Sequence, residues 1–331
     1  MGRKVDISIC CITYNHALYI EKMLDSVLEQ KTNYTYEILI HDDASTDGTT
    51  DIVRKYAKKY PDKIRTILQR ENQFSQGKTN ILFDQLFPLA EGEYIAICEG
   101  DDYWCCLQKL DRQINFMKQH PKCSVCTHQT RIVTEDGGIT QKSIPMHSMP
   151  TVINGEEYLR ECLEKDSHLF HTSSIFFRRH YLKMIQGHVP EFISQSPVED
   201  RALFWFLATK GDVGYLKEEM SCYRTMSVGS WTREMEASRQ KKYYKNISLL
   251  NMVRLFNEYT GYEFANEIYN YETNYLFVLY EYELNCKEML KPRFRNQWES
   301  LNIREKIFFG ICAFFPQIGI WYRKIKWKDK K

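Results

Sequence analysis

No charge of one sign dominates this chain of 331 residues: 45 lysines and arginines face 43 aspartates and glutamates, for a net charge of +2. A balance this close to neutral excludes a general pull on nucleic acid, so any basic function is local. No Gly/Ser-rich linker, internal repeat or low-complexity stretch breaks the sequence. No apolar signal segment precedes the first strand pattern, because Met1-Gly2-Arg3-Lys4-Val5-Asp6 leads straight into it. The eleven cysteines form no regular framework, and the expectation is a cytoplasmic, reducing location with free thiols. Cys123 and Cys126 have CxxC spacing, but no second pair stands at zinc-ribbon distance, and their alternation fits a buried strand. His168 and His171 are three apart and lack an evident third ligand, so zinc is not expected there either.

What is present is ample apolar material: 43% of residues are hydrophobic and 14% aromatic, enough for a large core or one core with an appendage. Short apolar runs at residues 5–12, 37–40, 63–68, 93–98 and 124–127 read as strands. Between them, helical spacing covers residues 16–30, a segment ending near Tyr60 before Pro61, residues 79–89 and residues 108–120. Alternation of this kind marks an α/β fold: a mostly parallel sheet with helices on both faces. The middle is less regular. Asn154 to Glu157 resembles a capping box for a helix through Leu163, residues 173–178 read as a strand, and residues 203–208 as an apolar helix. Beyond Trp231 come long helices rich in Tyr, Asn, Glu and Lys. The boundaries this suggests are a catalytic-type domain over 1–230 (halves 1–128 and 129–230), a helical extension over 231–300 and a basic tail over 301–331.

Ligands of such sheets sit beyond the C-terminal ends of the strands. Three polar motifs fall there: Thr13-Tyr14-Asn15, Asp42-Asp43 and Glu99-Gly100-Asp101-Asp102. Clustered carboxylates repel one another, and the hard oxygen ligands of the third motif suit Mg²⁺ or Mn²⁺ shared with substrate phosphates. A solvated acidic turn has the same composition. A carboxylate after the second strand can accept from a base N–H, with small Ala44 leaving room for a flat ring; Ser45 and Asp47 also satisfy a helix N-cap. Thr13 to Asn15 offer hydroxyl and amide groups to a ribose or base, or simply make a turn.

Together, in this order and spacing, the segments at residues 7–15, 37–49 and 92–104 resemble the family 2 glycosyltransferases of GT-A fold, over roughly residues 5–230. The resemblance implies an inverting, metal-dependent enzyme that moves one sugar from a nucleotide-sugar, a UDP-sugar in the first instance, to an acceptor hydroxyl. It implies that Asp43, with Asp42 beside it, reads the base. Thr13, Tyr14 and Asn15 line the nucleotide, and Glu99 and Gly100 open the acidic motif. Asp101 is the implied ligand of Mn²⁺ or Mg²⁺, with Asp102 next to it. Lys78 and Arg224 are implied to lie near the nucleotide and its phosphates. Glu199-Asp200 resembles the family's acidic pair, which makes Asp200 the general base and Glu199 its tuning neighbour; alone, the pair reads as a helix N-terminus favoured by the dipole. His171, Thr172 and Ser173 fall where the family places acceptor contacts. Ile12 and Glu99 depart from the common proline and aspartate, and no Gln-x-x-Arg-Trp segment of the processive synthases occurs. Bacterial surface polysaccharide or glycoconjugate synthesis is the implied setting, with a glycan or lipid-linked acceptor.

Two other functions share some of these features. A sugar-nucleotide-forming nucleotidyltransferase usually has a Gly-rich basic loop after its first strand, where this chain has residues 13–17 without one. A non-catalytic scaffold need not keep both Asp101 and Asp200. At the far end, residues 307–322 are mostly apolar, interrupted by Pro316, and six lysines and arginines follow. That run is short of the ~20 residues a spanning helix needs. It reads as an interfacial helix or hairpin in peripheral membrane contact, or as a core helix with a basic end.

Overall fold

The computed structural model describes residues 4–146, 149–165, 169–227, 233 and 238–326. His168, Trp231 and Trp327 to Lys331 lie outside the described residues.

The first half alternates as its periodicity predicts: β1 (Ile7–Thr13), α1 (Ile20–Leu28), β2 (Tyr36–Asp42), α2 (Thr49–Lys59), β3 (Ile64–Leu68), β4 (Tyr94–Ile97), β5 (Tyr103–Trp104) and α3 (Lys109–Gln119). β6 (Cys123–Val133), β7 (Ile139–Ile144), β8 (Val152–Ile153), α4 (Gly155–Lys165), β9 (Phe176–Arg178), α5 (Glu199–Ala208) and β10 (Asp212–Arg224) follow, apart from short turns. One ten-stranded sheet results, ordered β3-β2-β1-β4-β9-β6-β10-β5, with β7 on β6 and β8 on β10. Its β3-β2-β1-β4 side is parallel. β9 then enters antiparallel between β4 and β6, and β10 runs parallel to β6. The fold is therefore mixed α/β, with the parallel expectation holding on the side that carries the first three motifs.

Strands covered on both faces read as continuous apolar runs. In β1, Ile7, Ile9 and Cys11 face one core, with Met23, Leu24 and Leu110, while Cys10 faces the other, with Leu82, Phe177 and Phe204. The second core continues into the helices after the sheet. α6 (Arg239–Tyr259) and α7 (Ala265–Glu283) bring Phe256 against Trp205, ring centroids 4.9 Å apart, and Tyr271 into the same cluster. The helices beyond residue 231 are thus joined to the catalytic-type domain by a shared core. A third, smaller cluster ties Phe277, Met289 and Phe294 to Phe309, Cys312 and Ala313 of a closing helical pair, α8 (Ile303–Phe314) and α9 (Pro316–Lys326).

Several boundaries differ from the sequence reading. Residues 16–30 yield helix only from Ile20, because the amides of His16 and Ala17 donate to Thr49 Oγ1 and Asp47 across the sheet end. Residues 79–89 hold a π-helical turn, Leu82–Leu86, then a 3₁₀ turn, Phe87–Leu89, in which Pro88 cannot continue the helical ladder. Asn154 caps α4 through Oδ1, which accepts from the amides of Glu156 and Glu157. Of residues 173–178, the first two belong to a 3₁₀ turn, Thr172–Ser174, and only Phe176–Arg178 pair as a strand. All eleven cysteines are free, most of them buried.

Candidate active site

The ends of β1, β2 and β4 meet the starts of α5 and the Thr172–Ser174 turn. Close packing begins at the acidic loop. Gly100 donates its N–H to the Ile12 carbonyl at 3.0 Å. A Cβ there would lie 2.5 Å from Thr13 Oγ1 and 2.8 Å from His16 Nδ1. Only glycine lets the loop lie this close to the end of β1. His16 is nearly buried; its Nδ1 lies 3.2 Å from Thr13 Oγ1 and its Nε2 3.9 Å from Asp101 Oδ2. Asp101 also accepts from the Ser227 hydroxyl at 2.5 Å. Neither His16 nor Ser227 was visible as a partner in the sequence, because each reaches the loop from a distant segment.

Asp102 is the most enclosed member, 1% exposed. One oxygen accepts from the Arg224 amide at 3.0 Å, and the other, Oδ2, has no hydrogen-bond partner. His171 Nδ1 lies 3.4 Å from that orphan oxygen, and the Ser173 amide donates to the same nitrogen at 3.3 Å. Burial holds His171 down to about 4, against the pull of Asp200 and Asp101, so the ring is neutral near pH 7. Nδ1 also lies 2.9 Å from Ser173 Oγ, and in the tautomer that accepts there a lone pair faces a carboxylate oxygen. Two acceptors so placed call for a proton or a cation between them. Ligand atoms of Glu99, Asp102 and His171 all lie within 4.8 Å of one another. Burial, then the charges of Asp101, Asp200 and Glu199, push Glu99 well above the usual carboxylate range; burial, then Asp101 and Glu99, do the same to Asp102. Mutual repulsion of this kind is what a divalent cation relieves. The residues present therefore fit a metal, and the third group that could hold it is His171, a nitrogen that the sequence motif does not announce.

At the start of α5, the Thr172 hydroxyl donates to Asp200 Oδ2, and the Arg201 amide donates to Oδ1 at 2.8 Å. Asp200 stays partly exposed at the start of α5. Glu199 points elsewhere: its two oxygens accept from the amides of Leu82 and Phe83 at 3.0 and 2.9 Å, pinning α5 to the π-helical turn. Burial pushes its carboxyl up to about 8 despite those two amides. Ser173 is buried and bonds Ser221 at 2.9 Å.

At the ends of β1 and β2, Asp43 accepts from the amides of Gln73 and Phe74 at 2.7 and 3.0 Å, fastening residues 72–76 beside β2. Ala44 next to it sits at φ 61° and Asn15 at φ 55°, a left-handed pair at two strand ends. Asn15 donates its N–H to Ser45 Oγ at 2.8 Å and accepts from Thr46 at 2.9 Å. Asp42 is fully buried and accepts from Ser45 and Thr50, which closes the turn into α2. Tyr14 is partly exposed beside this turn. Lys78 bonds Gln73 Oε1 at 2.5 Å from an exposed position. Arg224 is 4% exposed, lies over the Tyr19 ring, and donates to the carbonyls of Asp101, Thr134 and Glu135. Its backbone and guanidinium both hold the acidic loop.

A mixed sheet with an acidic loop after its fourth strand, joined to an aspartate at a helix start, defines the GT-A class of glycosyltransferase fold. Staphylococcus aureus TarS residues 1–349, solved with UDP-GlcNAc, superimposes with TM-score 0.58 at 18% identity, covering 88% of this chain and 79% of that one. The sequence profile described as "Glycosyl transferase family 2" matches residues 8–185, and the chain belongs to that family. An uncharacterised protein of Mycobacterium tuberculosis is 33% identical over 229 residues, 68% of this chain and 60% of that protein. The chain thus spans about 60% of the length of that relative. The Escherichia coli UDP-Glc:alpha-D-GlcNAc-diphosphoundecaprenol beta-1,3-glucosyltransferase WfaP is 36% identical over 112 residues, 34% of this chain and 41% of that one.

Proposed function

We propose that this protein transfers a single sugar from a UDP-sugar to an acceptor hydroxyl, with inversion, in the assembly of a bacterial surface polysaccharide or glycoconjugate. The link from Asp200 to the acidic loop carries this reading: the Thr172 hydroxyl donates to Asp200, and the neighbouring His171 sets Nδ1 3.4 Å from Asp102. In the reaction, Asp200 accepts the proton of the acceptor hydroxyl as that oxygen attacks the anomeric carbon. The bond from that carbon to the diphosphate oxygen breaks, and UDP leaves with the electron pair. Attack opposite the leaving group inverts the centre, so an α-linked donor gives a β-linked product.

Thr172 and the Arg201 amide hold the Asp200 carboxylate toward the cleft. Asp43, Thr13 and Tyr14 form the nucleotide end, and Arg224 positions the loop through its carbonyl contacts rather than by a free guanidinium. Glu99, Asp102 and His171 would hold Mn²⁺ or Mg²⁺, with Asp101 the further ligand expected from the family motif. A bound cation there supplies Lewis-acid neutralisation of the diphosphate. The mixed oxygen and imidazole set favours Mn²⁺ over Mg²⁺. The E. coli relative that uses UDP-Glc on a diphosphoundecaprenol-linked sugar, and the structural neighbour solved with UDP-GlcNAc, support a hexose or N-acetylhexosamine donor and a glycan or lipid-linked acceptor.

UDP release from a panel of UDP-sugars with Mn²⁺ tests the reading. One donor should be turned over, and the signal should vanish with chelator. Silence across the panel, together with no binding of UDP, would overturn it.

A further inference from the structure

The closing helical pair has two faces of opposite character. Phe309, Cys312 and Ala313 of α8 are buried against Phe277, Met289 and Phe294. On the opposite face Ile303, Ile307, Ile311 and Phe314 form an apolar stripe at helical spacing, 69%, 57%, 43% and 77% exposed. The stripe runs on into Phe315, before the turn at Pro316, and Trp321 of α9, both well exposed. Contiguous apolar surface of this kind on a soluble face marks an interaction site.

We propose that this face docks on an anionic lipid bilayer. Three features select that occupant. Six of the last nine residues are Lys or Arg, against the single acid Asp329. Cations that follow an apolar helix pair in the sequence match lipid phosphates and a negatively charged leaflet. The aromatic residues Phe314, Phe315 and Trp321 suit the boundary between headgroups and acyl chains. Finally, α8 and α9 are about 18 and 16 Å long, against roughly 30 Å of hydrocarbon, and among the described residues no helix is long and apolar enough to cross a membrane. The pair therefore lies in the interface and does not span it. Because its inner face packs on its own small cluster, docking leaves the sheet and the site untouched.

The full chain is to be mixed with vesicles of phosphatidylcholine alone and of phosphatidylcholine with phosphatidylglycerol, then floated on a density gradient. It should float with the anionic vesicles, stay down with the zwitterionic ones, and be released by high salt. Trp fluorescence should shift to the blue on binding. Ile307→Ser, Ile311→Ser and Phe314→Ser together should lower the bound fraction at least about tenfold while leaving the melting temperature unchanged, since all three side chains are exposed. Failure to float, or flotation indifferent to lipid charge and salt, overturns the proposal; these two readouts need only the unmodified chain. Flotation untouched by the triple substitution overturns it too. So does a dimer in sedimentation that the same substitution dissociates, since the stripe would then be covered by a second copy.

Discussion

At the scale of single residues, the site separates groups that face substrate from groups that hold them. Asp200 faces the cleft, and Asp200→Asn should bind donor within about twofold of wild type while turnover drops by roughly 10²–10⁴-fold; titration calorimetry and UDP release separate the two. A parallel loss of binding and turnover would argue against its role as base. The metal question divides neighbours. His171→Ala and Asp102→Ala should each weaken Mn²⁺ binding about tenfold or more, read by electron paramagnetic resonance on the enzyme without donor. Unchanged Mn²⁺ affinity in both would leave Asp101 as the ligand that matters. Glu199, carrying the same charge as Asp200 one position earlier, behaves as a structural acid. Its folded-state value of about 8 lies far above the ordinary 4.5. Between those two values the folded protein keeps a proton that the unfolded chain has released, so this group's contribution falls as pH rises and is gone above about 8. Denaturant midpoints measured from pH 5 to 7 should decline, and Glu199→Gln should flatten the decline. The acidic pair was legible in the sequence as a pair; which member points into the cleft was not, because Leu82 and Phe83, whose amides orient Glu199, lie more than a hundred residues away.

At the scale of elements, α3 shows how a buried charge ties a helix to the sheet. Lys109 is fully buried, 4.1 Å over the Trp104 ring, and donates to Gln113 at 2.6 Å. Gln113 in turn donates to the carbonyls of Cys126 and Ser174, joining α3 to β6 and to the turn that carries Thr172. Burial lowers the lysine to about 7, so between 7 and its ordinary 10.5 the unfolded chain binds the extra proton. The sign is the reverse of that for Glu199: this contribution to stability grows as pH rises through that window. Lys109→Met should abolish the alkaline rise in the denaturant midpoint, and a rise that survives would assign it to another group. The element types most easily read in advance were those buried on both faces, such as β1 and β2, whose apolar runs leave little choice. β6 was read only to Thr127 because its continuation, His128, Gln129, Thr130 and Arg131, is polar. His128 and Thr130 are nevertheless buried in the sheet, and Arg131 is held by Glu219 on β10. Tertiary partners there outvote local composition, and no window of sequence contains them.

At the scale of the whole molecule, the helices beyond the sheet complete the core that the sheet begins. The absence of a Gly/Ser linker after Trp231 pointed to a helical part packed on the first domain, but composition records what each segment exposes, not which partner covers its apolar face. Leu249, Met252, Val253 and Phe256 of α6, with Phe264, Ile268 and Tyr271, belong to the cluster that covers Leu203, Trp205 and Phe206 on α5. The link also reaches the site: Arg201, next to Asp200, donates to the Tyr271 hydroxyl at 2.8 Å. Seven such side chains at about 1.5–3 kcal/mol each amount to roughly 10–20 kcal/mol of burial, as much as the net stability of an ordinary domain, about 5–15 kcal/mol. A chain ending at residue 238 should therefore fail to fold cooperatively, with near-ultraviolet circular dichroism lost and the product aggregated. A chain ending at residue 301 gives up only the inner face of the closing pair and should unfold in one transition, at a modestly lower midpoint. A cooperative, soluble 1–238 fragment would show that the sheet closes its own core, and would return the helices to the status of an appendage.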